Sequence, residues 1–442
     1  MFYRLQNYCH LVSGANRGAI YNLQTGKVFS INKGAVHLLS QCEHTAVEDI
    51  LAPGTEKSKP YLNFLDQISA MGLGSLYLDT PPETPVEPLP DQSPTLEFIW
   101  LELTSRCNNQ CQHCYASSGP AVTDDGVPHE RWLALITEAR QEGATGLQLI
   151  GGEPLLYPRW KELVQRAHSE GYELIEIFTN ATLIDDADIA FFQQYNVCIA
   201  TTIYADNAAT HDRVTKHEGS FAKTMSAVEK ILAADIPLRV AAIIMKANEH
   251  EVDNIIKLCT DLGVYTAPPD VVRPTGRGDD HEILPESYAR PPIKPPFFTD
   301  PESFAKARKY HTCLAGRLAV TSTGEIIPCI FARSQVCGNI LTASLKDVLH
   351  GQKVQNIWQT TKDQVAKCRD CEYRYACTDC RPHAQGSDPG KKWLACTKGC
   401  AYNPYTGKWD EEAAPPSEPP AAPQAAAPPT SRICPYGKKR PQ

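Results

Sequence analysis

Three cysteines in one short loop are the residues with the most evident chemistry. Cys107, Cys111 and Cys114 occur in the order Cys107-Asn-Asn-Gln-Cys111-Gln-His113-Cys114, and we call them the cysteine triad. Three thiolates are too few for a closed structural zinc site, which normally has four ligands. On a four-iron, four-sulfur cluster, three thiolates leave one iron free for an exogenous ligand.

A second group of cysteines occupies the C-terminal part of the chain. It comprises Cys313, Cys329, Cys368, Cys371, Cys377, Cys380, Cys396 and Cys400. The middle four form a CxxC-x5-CxxC pattern, which we call the cassette. Paired thiols in tight loops converge on one metal centre, so this spacing predicts a metal site. Taken alone, the cassette fits a zinc ribbon as readily as an iron-sulfur module.

Between Thr95 and about Asp280 the hydrophobic period alternates between that of a strand and that of a helix. The predicted strands are Leu96–Leu103, Gly146–Ile150, Leu174–Phe178, Val197–Ile203, Leu238–Met245 and Val264–Val272. The predicted helices are His129–Gln141, Arg159–Ser169, Asp185–Gln194, Ser220–Ala234 and Glu249–Leu262. This alternation predicts a parallel, right-handed α/β succession, either an incomplete barrel or an open wound sheet.

In both architectures chemistry lies at the C-terminal ends of the strands. The cysteine triad follows the first predicted strand, Gly151-Gly152-Glu153-Pro154 ends the second, and Asn180 closes the third. Such a tetrapeptide alone would be a turn, and Asn180 alone would be a strand cap. Their common position at the catalytic edge instead predicts one site, where the glycines let the backbone approach a ligand.

Composition narrows the class of protein. The chain has 442 residues, 17 cysteines and a formal charge of −8. No secretion signal and no apolar run of about 18 residues is apparent, so we expect a cytoplasmic protein without a membrane span. Cytosolic thiols stay reduced, which argues against a disulfide framework. The negative charge argues against nucleic acid or an anionic membrane as a partner.

The cysteine triad resembles the cluster motif of the radical S-adenosylmethionine (SAM) superfamily. That motif has an aromatic residue before its last cysteine, a place that His113 holds. The Gly151–Pro154 stretch resembles the family's binding site for the methionine amino group, and Asn180 is placed like a ribose-contacting residue. Arg213 could pair with the SAM carboxylate, or it could be a surface cation.

The resemblance implies radical chemistry. In the superfamily the free iron chelates SAM, and one electron cleaves SAM to methionine and a 5′-deoxyadenosyl radical. This radical abstracts hydrogen from an unactivated carbon, while the protein orients the substrate and excludes water. An electron donor such as a flavodoxin or ferredoxin is then an expected partner.

The second cysteine group resembles the SPASM extension of radical SAM peptide-modifying enzymes. This resemblance implies two auxiliary four-iron, four-sulfur clusters, and thus three clusters in all. The first would lie on Cys313, Cys329 and Cys380. The second would lie on Cys368, Cys371, Cys377 and a late cysteine, for which we prefer Cys400 over Cys396.

Two features depart from the SPASM pattern. Two residues separate Cys377 from Cys380, where the family usually has three. A fourth ligand for the first auxiliary cluster is also not obvious. Cys337 is the nearest candidate, although it could simply begin a strand. The alternative is an open iron that binds a substrate group or water.

The N-terminal region is predicted to form a separate module at residues 1–80. Two extended segments around Asn22 and Gly26 precede three short helices and a last strand, Leu73–Leu78. The helices are predicted at Ala35–Cys42, Ala46–Leu51 and Tyr61–Met71. The pattern resembles the winged-helix peptide-recognition module of peptide-modifying enzymes, in which a leader peptide adds as a strand to a sheet edge. A helical cap is the alternative.

Proline-rich segments suggest the remaining boundaries. We predict a linker at 81–94, the radical SAM core at 95–285, a second linker at 286–310 and the SPASM domain at 311–408. The Pro/Ala-rich tail at 409–442 has few side chains able to form a core, so we expect it to be disordered.

Together these features predict an enzyme that modifies a ribosomally made precursor peptide with a leader sequence. A thioether or carbon-carbon cross-link is the expected product, because auxiliary clusters suit removal of a second electron. Epimerisation, decarboxylation, backbone excision and sulfatase maturation are alternatives within the class. A non-catalytic zinc-binding peptide scaffold is the alternative from a different class.

Overall fold

The computed structural model describes residues 1–52, 54–79, 93–123, 126–264, 269–289 and 293–410. Most of the predicted first linker and nearly all of the predicted tail therefore lie outside the described residues. The chain forms two units. The first contains the described residues of Met1–Ser93, Pro292–Cys313 and Gln359–Ala414, and the second those of Pro94–Pro291 and Leu314–Trp358. Among the described residues, no helix is long and apolar enough to cross a membrane.

The N-terminal segment folds into strands followed by three helices and a strand. Its elements are β1 (Phe2–Leu5), β2 (Cys9–Ser13), β3 (Arg17–Asn22), β4 (Val28–Asn32), α1 (Lys33–Cys42), α2 (Val47–Ile50), α3 (Lys59–Ala70) and β5 (Gly74–Tyr77). Strands β2, β3 and β4 form an antiparallel sheet, and β1 pairs with β5. The three helices and the last strand are confirmed. The region predicted as two extended segments has three strands, because the Gly14 amide bonds to the Arg17 carbonyl at 2.7 Å and closes an extra turn.

Local sequence explains where these elements begin and what they bury. The Asn22 side chain accepts the amides of Gln24 and Thr25, both at 3.0 Å, which closes the turn before β4. Asn32 caps α1 by accepting the Ala35 amide at 2.8 Å. The apolar faces of the helices then pack on the strands through Ile20, Leu38, Leu39, Leu65 and Ile68.

The central segment alternates strands and helices as predicted. Its elements are β6 (Phe98–Glu102), α4 (His129–Gln141), β7 (Gly146–Ile150), α5 (Trp160–Ser169), β8 (Leu174–Phe178), α6 (Asp186–Gln194), β9 (Cys198–Thr202), α7 (Ala208–Thr215), α8 (Ser220–Ala233), β10 (Leu238–Ala241), β11 (Ile243–Ile244), α9 (Val252–Asp261) and β12 (Asp270–Val271). Helix α7 was not predicted. The sixth predicted strand forms only as the short strand β12, which pairs with β11 outside the main sheet.

The remaining segment adds strands to the same main sheet. Helix α10 (Pro301–Lys309) occupies part of the predicted second linker. It is followed by β13 (Arg317–Val320), β14 (Glu325–Ile327), β15 (Gly338–Asn339), α11 (Leu345–Leu349), α12 (Gln352–Trp358), α13 (Arg381–Ser387), β16 (Tyr402–Asn403) and β17 (Lys408–Trp409). Strand β13 pairs parallel with β6, and β14 and β15 continue antiparallel.

The main sheet has the strand order of an incomplete barrel. Its order is β10-β9-β8-β7-β6-β13-β14-β15, so β6 to β10 follow one another without a reversal. A doubly wound sheet would reverse direction at a switch point. The prediction of a partial α/β barrel is therefore confirmed, and the alternative of an open wound sheet is wrong.

The two faces of the barrel strands differ in chemistry. Ile99, Leu147 and Ile175 lie side by side in one buried apolar row. The next row places Gln148 beside Glu176, and both side chains are buried. Because successive strand residues point to opposite faces, one face of the sheet is apolar and the other carries polar groups.

The first unit joins the N-terminal strands to the cassette region. The Ala15 amide donates to the Asp370 carbonyl at 2.8 Å, and the Tyr21 hydroxyl donates to the Glu372 carbonyl at 2.8 Å. Tyr21 also packs against Phe304 of α10, with ring centroids 5.0 Å apart. The two segments predicted as separate domains thus share part of one core.

Candidate functional site

The cysteine triad lies in the loop between β6 and α4. The Cys107 amide donates to the Gly119 carbonyl at 3.3 Å, which closes the loop, and the Cys114 amide donates to the Cys111 carbonyl at 3.4 Å. Burial raises the pKa of Cys107 to about 12, and the charges of Glu153 and Cys114 raise it further. Burial also raises the pKa of Cys111, with contributions from both other triad thiols. The raised pKa values keep the Cys107 and Cys111 thiols protonated near neutral pH, and a cationic centre such as an iron-sulfur core would bind them as thiolates.

The glycine stretch lies directly against this loop. The Gly152 amide donates to the Thr104 carbonyl at 2.7 Å, and the Glu153 amide donates to the Arg106 carbonyl at 2.8 Å. A Cβ atom on Gly152 would lie 2.1 Å from the Arg106 carbonyl oxygen. Gly151 has a φ of +145°, which also favours glycine. The structure therefore places these predicted residues beside the triad loop, and their contact with SAM stays a prediction.

Glu153 connects the ends of β7 and β8. Its fully buried carboxylate accepts the Leu155 amide at 3.0 Å, the Thr179 hydroxyl at 2.7 Å and the Asn180 amide at 2.8 Å. Burial raises its pKa to about 7, while these hydrogen bonds act in the opposite direction. Pro154 begins a single 3-10 turn after it. The Glu153 side chain thus holds two catalytic-edge loops together.

We expect Glu153→Ala to destabilise the protein more than Glu153→Gln. Alanine leaves three buried donors without an acceptor, and each costs about 1–3 kcal/mol. Glutamine keeps the oxygen that accepts from Leu155 and Thr179 and loses only the Asn180 bond. Thermal unfolding followed by circular dichroism measures the difference, with the exposed Glu130→Ala as control. Equal destabilisation by both Glu153 variants would contradict this bridging role.

Asn180 lies beside the triad, as its position after β8 predicts. Its side-chain amide donates to the Asn108 Oδ1 atom at 2.8 Å and lies 3.9 Å from the Cys107 sulfur. Its own Oδ1 accepts the Thr182 amide at 3.0 Å. Asn180 is therefore held at the first cysteine, and contact with a ribose stays a prediction.

His113 is half-buried, whereas Arg213 is exposed. The His113 Nε2 atom lies 3.2 Å from the Tyr204 hydroxyl, and its buried Nδ1 has no hydrogen-bond partner. Burial lowers the His113 pKa to about 4, so the ring is neutral near pH 7. The Arg213 guanidinium donates to the Ala247 carbonyl at 2.8 Å, and only its backbone carbonyl meets the loop, at Gln112. A role for Arg213 toward SAM stays a prediction.

Sequence reasoning missed Arg277, which braces the triad loop. Its guanidinium donates to the Cys111 carbonyl at 2.9 Å and to the Ser118 carbonyl at 2.7 Å, and its amide donates to the Cys114 carbonyl at 3.0 Å. Gly276 makes this approach possible, since a Cβ there would lie 2.3 Å from the Tyr115 carbonyl. The only sequence signal was an arginine between two glycines, Gly276 and Gly278.

Sequence reasoning also missed an ion pair on the polar face of the sheet. Arg333 donates to both carboxylate oxygens of buried Glu102, at 2.8 and 3.1 Å. The guanidinium lies 5.8 Å from the Tyr115 ring centroid. Glu102 ends β6, five positions before Cys107, so this pair lies at the catalytic edge of the barrel.

The cysteines of the second group are divided between the two units. Cys329 and Cys337 belong to the barrel unit, and the others belong to the first unit. Cys329 packs beside Ile330 and Tyr115. The Cys337 amide donates to the Ile326 carbonyl at 2.8 Å, so Cys337 leads into β15 as the strand alternative predicted. The cluster on Cys313, Cys329 and Cys380 stays a prediction.

Five thiols approach one another in the first unit. They are Cys368, Cys371, Cys377, Cys396 and Cys400. The Cys368 and Cys396 sulfur atoms are 3.8 Å apart, and a hydrogen bond from Cys396 lowers the pKa of Cys400 to about 5. Both late cysteines adjoin Cys368, so the choice between Cys396 and Cys400 stays open. Among the described residues, no three His, Cys, Asp or Glu side chains form a single-ion site.

Comparison with known families agrees with this geometry. Residues 101–259 match the radical SAM superfamily, and residues 313–372 match the SPASM iron-sulfur cluster-binding domain. The first family uses SAM with a four-iron, four-sulfur cluster, and the second domain binds auxiliary iron-sulfur clusters. The first match covers the triad, and the second begins at Cys313.

Individual relatives cover the chain to different extents. The AdoMet-dependent heme synthase of Methanosarcina barkeri is 26% identical over 341 residues, which is 70% of this chain and 97% of that protein. The sporulation killing factor maturation protein SkfB of Bacillus subtilis is 31% identical over 167 residues, 37% of this chain and 40% of SkfB. The two relatives are named for different processes, heme synthesis and the maturation of a sporulation killing factor.

The fold is also that of a solved protein. SuiB of Streptococcus suis, crystallised with SAM, has a TM-score of 0.56 at 13% identity, covering 90% of this chain and 99% of SuiB. Its complex with the precursor peptide SuiA has a TM-score of 0.53 at 13% identity, covering 89% and 98%. Because residues 101–259 and 313–372 match these two families and the barrel has the expected strand order, this chain carries a radical SAM domain and a SPASM iron-sulfur cluster-binding domain.

Proposed function

We propose that this enzyme cross-links a ribosomally made precursor peptide through a thioether or carbon-carbon bond. The observation that carries the proposal is the union of an N-terminal sheet module with a cysteine-rich region in one unit, while the radical SAM barrel forms the other unit. SkfB and the SuiB complex, both named for peptide maturation or a precursor peptide, support a peptide substrate. Three clusters, one at the triad and two in the second cysteine group, complete the proposal.

The protein's own residues position the reaction. Bound SAM and its cluster supply a carbon radical that abstracts hydrogen from the substrate. The Gly151–Pro154 stretch and Asn180 form the walls next to the triad, where SAM would lie. Buried Glu102 pairs with half-buried Arg333 at the catalytic edge of the barrel, where the guanidinium is placed to orient a peptide backbone. Closing a cross-link removes two hydrogen atoms from the peptide, so a second electron must leave, and auxiliary clusters can accept it.

Leader recognition is assigned to the N-terminal module. Within the described residues β5 pairs with β1 alone, so its outer edge has unpaired backbone groups. Leu76 and Leu78 at this edge are 41% and 85% exposed. An exposed apolar strand edge suits an added peptide strand, because backbone bonds give affinity and side-chain pockets give specificity.

The structure changes how leader recognition should be tested. Deleting residues 1–80 would remove Tyr21 from its contacts with Phe304 and Glu372, and so would expose the core of the first unit. A loss of peptide binding after such a deletion would not distinguish recognition from unfolding. Point substitutions at exposed positions of the module avoid this problem.

We expect Leu76→Asp combined with Leu78→Asp to weaken precursor binding about tenfold or more, since apolar anchors dominate such contacts. Fluorescence anisotropy with labelled peptides encoded by short genes beside this one measures the affinity. The exposed Ile256→Asp in α9 is the matched control and should bind normally. Equal affinity of the double variant and the control would contradict leader recognition at β5.

Metal content and product analysis test the proposed reaction. Anaerobically purified protein should contain about 11–12 iron atoms and produce 5′-deoxyadenosine with reductant. With its peptide, mass spectrometry should show the loss of two hydrogen atoms for a cross-link. An unchanged mass would indicate epimerisation, and loss of carbon dioxide would indicate decarboxylation. Zinc without iron, or SAM left intact, would contradict the proposal.

A second candidate function follows from the heme synthase relative, which this chain matches over almost that protein's full length. The enzyme would then act on a tetrapyrrole in place of a peptide. Turnover of an iron porphyrin carrying propionate groups, with no turnover of adjacent-gene peptides, would favour this function. The strand-edge module in the first unit favours the peptide.

A further inference from the structure

A lysine ammonium lies within the group of thiols in the first unit. The Lys362 Nζ atom donates to the Cys377 carbonyl oxygen at 2.5 Å. Its charge interacts with the Cys377 and Cys368 thiols and with that of Cys400. Lys362 thus bonds the backbone of one predicted ligand and faces two others. Its charge can therefore act on a metal centre that these cysteines bind.

Charged side chains of both signs surround Lys362. Lys367 donates to the Cys400 carbonyl at 3.2 Å, and fully buried Arg381 donates to the Ala395 carbonyl at 2.8 Å. Asp379 faces Lys362 and is held by Arg381 at 2.5 Å and by the His311 ring at 3.0 Å.

A second carboxylate, that of buried Glu372, lies beside Cys371 and accepts the Tyr402 hydroxyl at 2.5 Å. Two further cations are each paired with a carboxylate: Arg374, which donates to the Cys371 carbonyl at 2.9 Å, with Asp363 at 2.8 Å, and Arg369 with Asp370 at 3.6 Å. Among the described residues, the other three cations, Lys362, Lys367 and Arg381, outnumber the carboxylates Asp379 and Glu372. Lys362 combines a bond to a cassette cysteine with interactions at two other predicted ligands. The thiols therefore experience a net positive surrounding that centres on this lysine.

These charges affect the reduction potential of a cluster that the cysteines bind. A cubane with four thiolate ligands is anionic, and reduction adds one more negative charge. A nearby cation in a low-dielectric setting stabilises the reduced form more than the oxidised form. Outer groups of this kind commonly tune a metal centre without ligating it.

We infer that Lys362 raises the reduction potential of the auxiliary cluster on Cys368, Cys371, Cys377 and a late cysteine, and so makes it an electron acceptor. The inference rests on the proposed function, which supplies that cluster. The cluster takes one electron and changes from the 2+ to the 1+ state. In the proposed reaction the donor is the substrate radical, which also releases a proton as the cross-link closes. Lys362 acts through its charge on the cluster, and we do not assign it a contact with the substrate.

A potentiometric titration of the holoenzyme tests this directly. Electron paramagnetic resonance separates the clusters, since SAM perturbs only the signal of the cluster that binds it. In Lys362→Met one of the two SAM-insensitive clusters should be at least tenfold less reduced at its wild-type midpoint, which is a shift of about −59 mV, and the other should not shift. Lys362→Arg keeps the charge and should stay near wild type. Exposed Lys59→Met is the matched control and should not shift.

A second variant, which is expected to shift the midpoint potential in the opposite direction, distinguishes an electrostatic effect from structural damage. Asp379→Asn removes a negative charge near the same cysteines, so the midpoint should rise. If Lys362→Met assembles no cluster, the Asp379→Asn result decides, and an unchanged midpoint overturns the inference. Unshifted midpoints in variants with full iron also overturn it and leave the proposed function intact. Wild-type protein without any SAM-insensitive cluster would overturn both.

Discussion

Replacement of Cys107, Cys111 and Cys114 by alanine is expected to abolish SAM cleavage and to remove about four iron atoms per chain. The physical reason is that alanine removes the three sulfur atoms that are the predicted ligands of the SAM-binding cluster. The auxiliary clusters should remain, because their predicted ligands lie elsewhere. Iron and sulfide analysis and chromatography of 5′-deoxyadenosine measure both effects.

The control for this experiment is a cysteine that no cluster uses. Cys259 is fully buried in α9, far along the chain from either cysteine group. Cys259→Ala should keep its iron and its SAM cleavage, and lose only some stability from the small cavity. Residual 5′-deoxyadenosine from the triple variant above the reductant background would contradict the assignment of the triad.

The alternating elements of the barrel could be predicted because their signal is local. Helix α4 begins and ends at the predicted residues, and β7 and β8 do as well. Each combines a clear apolar period with glycine or polar residues at its ends. The position of the triad followed from the same logic, because a loop after a parallel strand must lie at the catalytic edge.

The parts that could not be predicted depend on contacts between distant residues. Strand β13 pairs with β6 although more than two hundred residues separate them in sequence. Arg277 reaches the Cys111 carbonyl from an irregular segment with no hydrophobic period. Neither pairing leaves a local pattern, since the partner atoms are backbone carbonyls that every residue possesses.

Domain boundaries illustrate the same limit. Proline-rich segments predict where connections lie, but they do not reveal which pieces pack together. Tyr21, Phe304 and Tyr375 come from three separated segments and stack in one core. The predicted SPASM domain is consequently shared between the two units, and residues 314–358 extend the barrel sheet.

The second large expected effect is that of a substitution in the tightly packed Gly151–Pro154 stretch. Gly152→Ala is expected to deplete the triad cluster and to reduce SAM cleavage about tenfold to a hundredfold. The new methyl would lie 2.1 Å from the Arg106 carbonyl oxygen, and neither backbone segment can rotate away as a side chain would. Overpacking costs about 1–3 kcal/mol, and each 1.36 kcal/mol is a factor of ten in the population of the intact loop. Iron content and SAM cleavage measure the loss.

Gly119→Ala provides the matched control, because Gly119 lies in the same loop with ordinary space around it. A Cβ atom there would meet only the Gln110 side chain, at 3.6 Å. The variant should therefore retain its cluster and its SAM cleavage, although it also exchanges a glycine near the triad. Equal losses of iron and SAM cleavage in both variants would mean that the backbone freedom of glycine, and not the close approach to Arg106, is what the loop requires. Loss in Gly152→Ala alone would establish that close approach of the second strand's end to Arg106 holds the triad in place.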